Sequence, residues 1–490
     1  MKQTRLLILF SCFLLLSTDI VAQCKEIIGY CPNWQYHARN NLFKPTNIKY
    51  SNYTILNYCF FNPEANGKIS STDAPTDKIL LEGNSSVVAL AHKANVKVMA
   101  SIGGWTLSDN FPSIAANATS RANFAGDCNK LLKQYDFDGI DVDWEYPGYD
   151  EHMGTAADKK NFTIFMKQIR DSITALGLRL GKQYKLSACF GASSERASYI
   201  EWSSIVSILD MINVMSYDFF GEWDAVANHN SPLYAPAEGE ASFNMNSAFL
   251  MLTQQHSVPA SKINLGVPFY GRSQKGGTAL FKPTSGQADL TTFPDEEGAP
   301  AYYTVMAQLS KFNSYWDNTA KVPYLFGKSG GTTAGTFVSY DDKKSIGLKA
   351  SYVNSKGARG VIVWDISHDL METDPGSGVV AGNPLADTLH QVLCGPVSVE
   401  EEKPATAIDM AIFPNPASDH VSILVTPIEE GMYTLTLYDI LGQEFLSKSY
   451  DFNKGTNQVT LPVNTIRNGY YFVKVQHQHH SVSKKFIVNH

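Results

Sequence analysis

Acidic residues stand at every second position in the run DGIDVDWEYP, residues 138–147: Asp141, Asp143 and Glu145. On a β-strand that spacing aims all three carboxyls at one face, roughly 7 Å between successive alternates. Carboxylates so close cannot all ionise freely, and at least one is expected to hold a proton near neutral pH. A carboxylic acid that stays protonated is what a departing glycosidic oxygen needs. A calcium loop is the alternative use of such acids. The EF-hand pattern requires Gly at its sixth position and a later Glu, and neither Tyr146 nor the spacing here fits it. Trp144 and Tyr146 beside the acids favour a sugar over a metal ion.

Such a run has to be presented by a scaffold. Strand patterns recur at residues 26–30, 53–60, 96–102, 139–144, 185–190, 211–215, 262–267 and 361–364. Helical periodicity lies between several of them, for example at 121–135 and 159–176. Eight strands alternating with helices predict an α/β fold, a (β/α)8 TIM barrel, whose catalytic residues stand at the C-terminal ends of the strands. The acid run ends the fourth strand, and Pro147 stops pairing just beyond it. Residues 273–342, before the last helix and strand, are rich in Gly, Tyr, Phe and Pro. A small inserted subdomain is expected there, raising one wall of a substrate groove.

Three further segments end strands. Ser101-Ile102-Gly103-Gly104-Trp105 places paired glycines where something must approach closely, although a tight turn has the same signature. Met215-Ser216-Tyr217-Asp218 brings a phenol to the barrel mouth as a hydrogen-bond donor, or simply a core tyrosine. Trp364 ends the eighth strand, where an indole floors a sugar site or fills the barrel.

The chain has 490 residues, which implies at least two domains. Hydrophobic content of 44% against 18% charged residues describes a folded protein, not a disordered one. A net charge of −7 without a basic block argues against nucleic acid or an anionic membrane as partner. Lys2 and Arg5 precede an apolar run at residues 6–16, and small residues follow near Ala22. Residues 1–22 therefore read as a signal peptide, the run being too short for an anchor. No later segment is apolar enough to span a bilayer. Six cysteines remain: Cys24, Cys31, Cys59, Cys128, Cys189 and Cys394. Export permits disulfides, while Cys59 and Cys189 lie in apolar runs that equally suit buried thiols. The pairing stays open.

A barrel domain is expected at residues 24–394 and a linker at 395–408, where Glu400, Glu401, Glu402, Lys403 and Pro404 cluster. Beyond it, strand patterns at 421–425, 433–438, 458–461, 470–475 and 484–488 alternate with turns and no helix intervenes. A small β-sandwich is expected over 409–490. His477, His479 and His480 invite a metal reading, but without an organised ligand set they read as a solvated loop. No phosphate loop or serine-nucleophile elbow stands out, and neither a cofactor nor a metal is expected.

Taken together, these segments resemble the family 18 glycoside hydrolases, the chitinase family, over nearly all of residues 27–393. DGIDVDWEYP carries the family signature DGxDxDxE in full, and SIGGW its SxGG motif. GEWDAVANHNSPLY (221–234) is similar to the segment after the sixth strand in animal-type members, and GVPFYGRS (266–273) to their seventh strand. SYDDKKSI (339–346) and GARGVIVWDISHD (357–369) resemble the last helix and eighth strand, and the insertion resembles the family's α+β insertion domain. The chain departs from the commonest animal form at Leu107-Ser108 and at Asp365 to His368.

The resemblance implies a secreted chitinase acting on chitin or chito-oligosaccharides without a cofactor. Glu145 is implied as the general acid, with the substrate's own N-acetyl carbonyl as nucleophile in a retaining reaction. Asp143 would orient the acetamido N–H, Asp141 would share a proton with Asp143, and Tyr217 would hold the acetamido oxygen in line. Trp364 would floor the subsite, lined by Tyr30, Phe60, Gly103, Gly104, Trp105, Thr106, Tyr146, Met215, Ser216 and Asp218. Arg272 is placed to reach bound sugar or to brace the insertion. Two other readings keep the barrel: an endo-β-N-acetylglucosaminidase acting on N-glycans or peptidoglycan, and a chitin-binding lectin, which the presence of Glu145 disfavours.

A second resemblance covers the C-terminal part. IFPNPASDHVSI (412–423), YDILGQEF (438–445), NGYYFVKV (468–475) and KKFIV (484–488) are similar to the type A sorting domain of the type IX secretion system. It implies that machinery as a partner, export across the outer membrane, and release or attachment at the cell surface. A carbohydrate-binding sandwich is the alternative, weakened by the lack of an obvious row of exposed Trp.

Overall fold

Eight parallel strands close on themselves because each is buried on both faces, one turned to the barrel interior and one to surrounding helices. They are β1 (Glu26–Pro32), β2 (Ile55–Pro63), β3 (Lys97–Gly103), β4 (Gly139–Asp143), β5 (Lys185–Gly191), β6 (Met211–Met215), β7 (Ile263–Pro268) and β8 (Gly360–Trp364). Neighbours run in chain order from β2 to β8, β8 pairs with β1, and the β1–β2 pairing closes the barrel. The computed structural model describes residues 24–294, 298–395, 408–439, 443–478 and 480–490. The expected signal peptide (1–22), most of the expected linker and His479 lie outside them.

Two long helices show why the outer layer forms. In α1 (Ala118–Gln134), Phe124, Cys128, Leu131 and Leu132 recur at helical spacing and are buried. The Asn117 side chain caps its first turn by accepting from the N–H groups of Thr119 and Ser120. In α2 (Asp158–Leu180), Phe162, Phe165, Met166, Ile169, Ile173 and Leu176 form the inward stripe, and Gly181 ends the helix in the left-handed conformation. Near the end of the barrel come α3 (Lys343–Ser355) and α4 (Pro384–Cys394). A disulfide joins Cys24 to Cys394, tying the chain just before β1 to the end of α4. Cys31, Cys59, Cys128 and Cys189 are buried free thiols.

Between β7 and α3 stands an α+β insertion. Its antiparallel sheet runs in the order Phe312–Asp317, Val322–Gly327, Phe337–Ser339, Arg272–Gln274, with a helix at Tyr302–Gln308.

The described residues form two compact units, divided after residue 397. The second has seven strands: β9 (Asp409–Phe413), β10 (His420–Thr426), β11 (Gly431–Asp439), β12 (Glu444–Phe452), β13 (Asn457–Pro462), β14 (Gly469–His477) and β15 (His480–Val488). They make two antiparallel sheets, β9-β10-β13 and β12-β11-β14-β15. Along β14, Tyr471, Val473 and Val475 turn inward while Tyr470 and Phe472 stay exposed, the period-two pattern of a sandwich strand. His477 is not a free loop residue. It ends β14, stacks on Tyr433 at 4.3 Å and bonds to Glu429, which the local sequence did not place beside it.

Candidate active site

Strand β4 stops at Asp143, so the three acids do not share one strand. Asp141 and Asp143 lie inside the barrel and Glu145 stands just past the strand end, only partly covered. A hydrogen bond from the Glu145 N–H to Ser108 Oγ (2.9 Å) holds it there, and Ser108 in turn donates to the Gly104 carbonyl (2.9 Å).

Asp141 is fully buried and saturated with donors. Tyr30 Oη (2.8 Å) and Ser101 Oγ (2.9 Å) donate to Oδ2; Ser187 Oγ and Asn213 Nδ2 (3.2 Å) donate to Oδ1. These donors come from β1, β3, β5 and β6. Burial pushes the Asp141 carboxyl above its usual range, and the four donors oppose that. Asp143 is pushed up much further, first by burial, then by the charges of Glu145 and Asp141, with the Cys189 thiol as the opposing donor. Its Oδ1 has no partner. The charge of the pair therefore belongs on Asp141 and the proton on Asp143.

Glu145 is raised to about 7, first by burial and then by the charge of Asp218, against a hydrogen bond from Tyr146. Its proton is thus not owed chiefly to the neighbouring aspartates, as the spacing suggested. Asp141, Asp143 and Cys189 also bring ligand atoms within 4.8 Å of one another. Both Asp141 oxygens are already taken by O–H and N–H donors, so this cluster is built to share protons, not to coordinate a cation.

Tyr217 follows β6 and packs edge-on against Tyr270 at 6.1 Å. Burial holds its phenol protonated, hence a donor. A Cβ at Gly266 would come within 2.7 Å of that ring, which accounts for the glycine. Trp364 lies 5.4 Å from Tyr30 and is stacked on Phe60 at 5.7 Å. Non-prolyl cis peptides occur at Cys59–Phe60, Glu145–Tyr146 and Trp364–Asp365.

Other expected lining residues have structural employment. A side chain on Gly103 would strike the Asp143 carbonyl, and one on Gly104 the Phe60 ring, so the chain itself is what approaches these glycines. Ser216 is buried and donates to the Gly266 carbonyl (2.9 Å). Met215 is buried, and Thr106 is exposed beside Trp105. Tyr146 faces Arg196. Arg272 is engaged by Asp218 (2.8 Å) and Glu222 (3.2 Å) and lies over the Trp223 ring at 4.8 Å, so it braces the insertion's first strand against the segment after β6.

The sequence reading missed several residues that the fold brings here. Trp34, 44% exposed, stacks on Phe60 at 5.9 Å and extends the aromatic floor outward. Trp223, 54% exposed, is another, whereas Trp105, which the sequence had already offered, is 49% exposed and rests against Tyr149 and His152. Ser187 and Asn213 could have been noticed as polar residues inside otherwise apolar strands, the informative kind of exception.

An acid row at the C-terminal mouth of a barrel, buried at Asp141 and Asp143 and ending in a partly covered carboxyl poised near neutrality, defines a glycoside hydrolase. Residues 26–369 match the family model of glycosyl hydrolases family 18, and the chain belongs to that family. Residues 411–489 match a secretion system C-terminal sorting domain, of the type IX kind. Chitinase A1 of Niallia circulans is 34% identical over 413 residues, 73% of this chain and 58% of that protein. Endochitinase 1 of Metarhizium robertsii is 33% identical over 390 residues, 75% of this chain and 88% of that protein. This chain thus spans little more than half the length of the first and most of the second. Among solved structures, chitinase ChiA74 from Bacillus thuringiensis superposes with a TM-score of 0.67 at 27% identity, covering 95% of this chain and 85% of that one.

Proposed function

We propose that this glycoside hydrolase is a secreted chitinase that cleaves β-1,4 bonds between N-acetylglucosamine units with retention, using the substrate's acetamide as nucleophile. The observation that carries the reading is the acid row at the barrel mouth: Asp141 held by four donors, Asp143 beside it pushed well above its usual range, and Glu145 just past the strand end, raised to about 7.

Glu145 protonates the leaving oxygen as the acetamido carbonyl attacks the anomeric carbon. Asp143 orients the acetamido N–H, and the Asp141–Asp143 pair, sharing one proton, offsets the positive charge that develops there. Tyr217 donates to the acetamido oxygen and keeps it in line. Glu145 then takes a proton from water as the intermediate opens. Relatives named as chitinases support the substrate, as do the half-exposed Trp34, Trp105 and Trp223, which suit the faces of a sugar chain. We further propose that residues 1–22 direct export across the inner membrane, that 24–394 is the catalytic unit, and that the sorting domain beyond the 395–408 linker directs passage across the outer membrane.

Wild type and Glu145→Gln incubated with defined chito-oligosaccharides, with products and anomers followed in time, test the reading. Expected are β-anomeric first products from wild type and a near-inactive variant. Unchanged turnover in the variant removes Glu145 from its role, and α-anomeric first products refute retention. Cleavage of a glycoprotein or peptidoglycan but not of chitin would reassign the substrate.

A further inference from the structure

Four consecutive polar residues, Asn228, His229, Asn230 and Ser231, are all buried, and no strand or helix contains them. Burying polar groups in irregular chain is costly unless each finds partners. Their bonds run in two directions. Toward the site, the Asp218 N–H donates to Asn230 Oδ1 (2.8 Å), the Phe219 N–H to the Asn230 carbonyl (3.0 Å), and Ser231 Oγ to the Ser216 carbonyl (2.7 Å). These bonds bracket Tyr217. Asp218 has φ of 56°, a left-handed conformation a non-glycine residue adopts at a cost, and its N–H bond to Asn230 helps hold it.

Away from the site, His229 Nε2 meets Asp317 Oδ2 at 3.0 Å and the Asn230 N–H donates to Ser339 Oγ (2.8 Å), both acceptors lying on insertion strands. Lys349 of α3 donates to Ser231 Oγ (2.8 Å). Although burial opposes it, the His229 hydrogen bond and the N–H groups of Ala320 and Thr319 hold the Asp317 carboxyl down to about 2. The acceptor is therefore ionised at any ordinary pH.

We propose that residues 228–231 are a positioning strap for Tyr217 and Asp218, and that the His229–Asp317 pair makes their placement depend on the insertion subdomain. The proposal rests on the role given above to Tyr217 in holding the acetamide. The insertion then does more than wall a groove, because its sheet anchors the turn that carries the acetamide-facing phenol.

The test is a double-mutant cycle in the full chain on a soluble chito-oligosaccharide. Asn230→Ala is expected to lower kcat by about ten- to a hundredfold, the scale of a misplaced reacting group, with KM little changed. In a Tyr217→Phe background, where the positioned hydroxyl is gone, most of that loss should disappear. His229→Ala should lower kcat, and His229→Gln, which keeps a donor toward Asp317, should restore most of it. Equal fold-losses in both backgrounds, or equal kcat in the two His229 variants, would overturn the proposal. If Asn230→Ala does not fold, the His229 pair decides alone. Failure of the underlying mechanism shows separately, as turnover surviving in Glu145→Gln.

Discussion

Inside the barrel, Asp141 collects four side-chain donors from four strands, and at α3 Lys349 is buried against Asp341 at 2.7 Å. Between the sheets of the C-terminal unit, by contrast, the buried core is apolar, with Met410, Val421, Ile423, Val425, Leu435, Val473, Val475 and Phe486 among its members. Its polar atoms at depth belong to groups such as Tyr433 and Tyr471, whose hydroxyls each donate to a carbonyl four residues upstream, Glu429 and Arg467. That is the local tyrosine-corner solution of sandwich folds. Apolar packing with local hydrogen bonds is enough to make a domain. Dry carboxyls held by partners from distant strands are the departure that chemistry requires.

The contrast can be broken most sharply at Glu145. Glu145→Gln should cost about 10²–10⁴ in kcat while leaving the thermal midpoint of the barrel unchanged; a comparable loss of stability would make the residue structural. Next is Lys349→Met, which strands Asp341 in the interior. It should cost about 3–5 kcal/mol in chemical denaturation, and the double variant Lys349→Met/Asp341→Leu should recover most of that. A single variant as stable as wild type would show that the pair carries no buried charge.

In the sandwich, Ile423→Ala should cost about 2–5 kcal/mol in the unfolding of that unit, with kcat/KM on chito-oligosaccharides unchanged. Tyr433→Phe removes the hydroxyl that donates to the Glu429 carbonyl and accepts from its N–H, and should cost about 1 kcal/mol there. Smallest is a shift in pH dependence. A general acid with its pKa at about 7 is lost as pH rises, so kcat/KM should fall above neutrality. The Asp218 charge helps keep Glu145 protonated, so Asp218→Asn should move that alkaline limb to lower pH. A limb that moves upward would mean that Asp218 acts on Glu145 by something other than its charge.

Much of the barrel was legible. The strand expected at 211–215 is β6 itself, and most others end within a residue or two of their expected bounds. The second strand runs on to Pro63 because Phe61, Asn62 and Pro63 pair with Ile69, Ser70 and Ser71, a partner that strand periodicity alone does not announce. Asp141, Asp143, Glu145, Tyr217 and Trp364 stood out as candidates because unusual residue types recur at strand ends. Ser108 and Trp34 were not, because a serine in a loop or a tryptophan in a short 3-10 helix has no periodicity to betray it.

By itself the sequence determined the order of strands, the strand end that carries the acids, and the change from a barrel to an all-β unit. These follow from local periodicity, which neighbouring residues encode. Only the tertiary structure decided that Cys24 pairs with Cys394, that Glu145 stands beyond the strand, and which carboxyl of the row holds its proton. Proton affinity depends on burial and on donors near in space, and the donors to Asp141 lie as far apart in the chain as Tyr30 and Asn213.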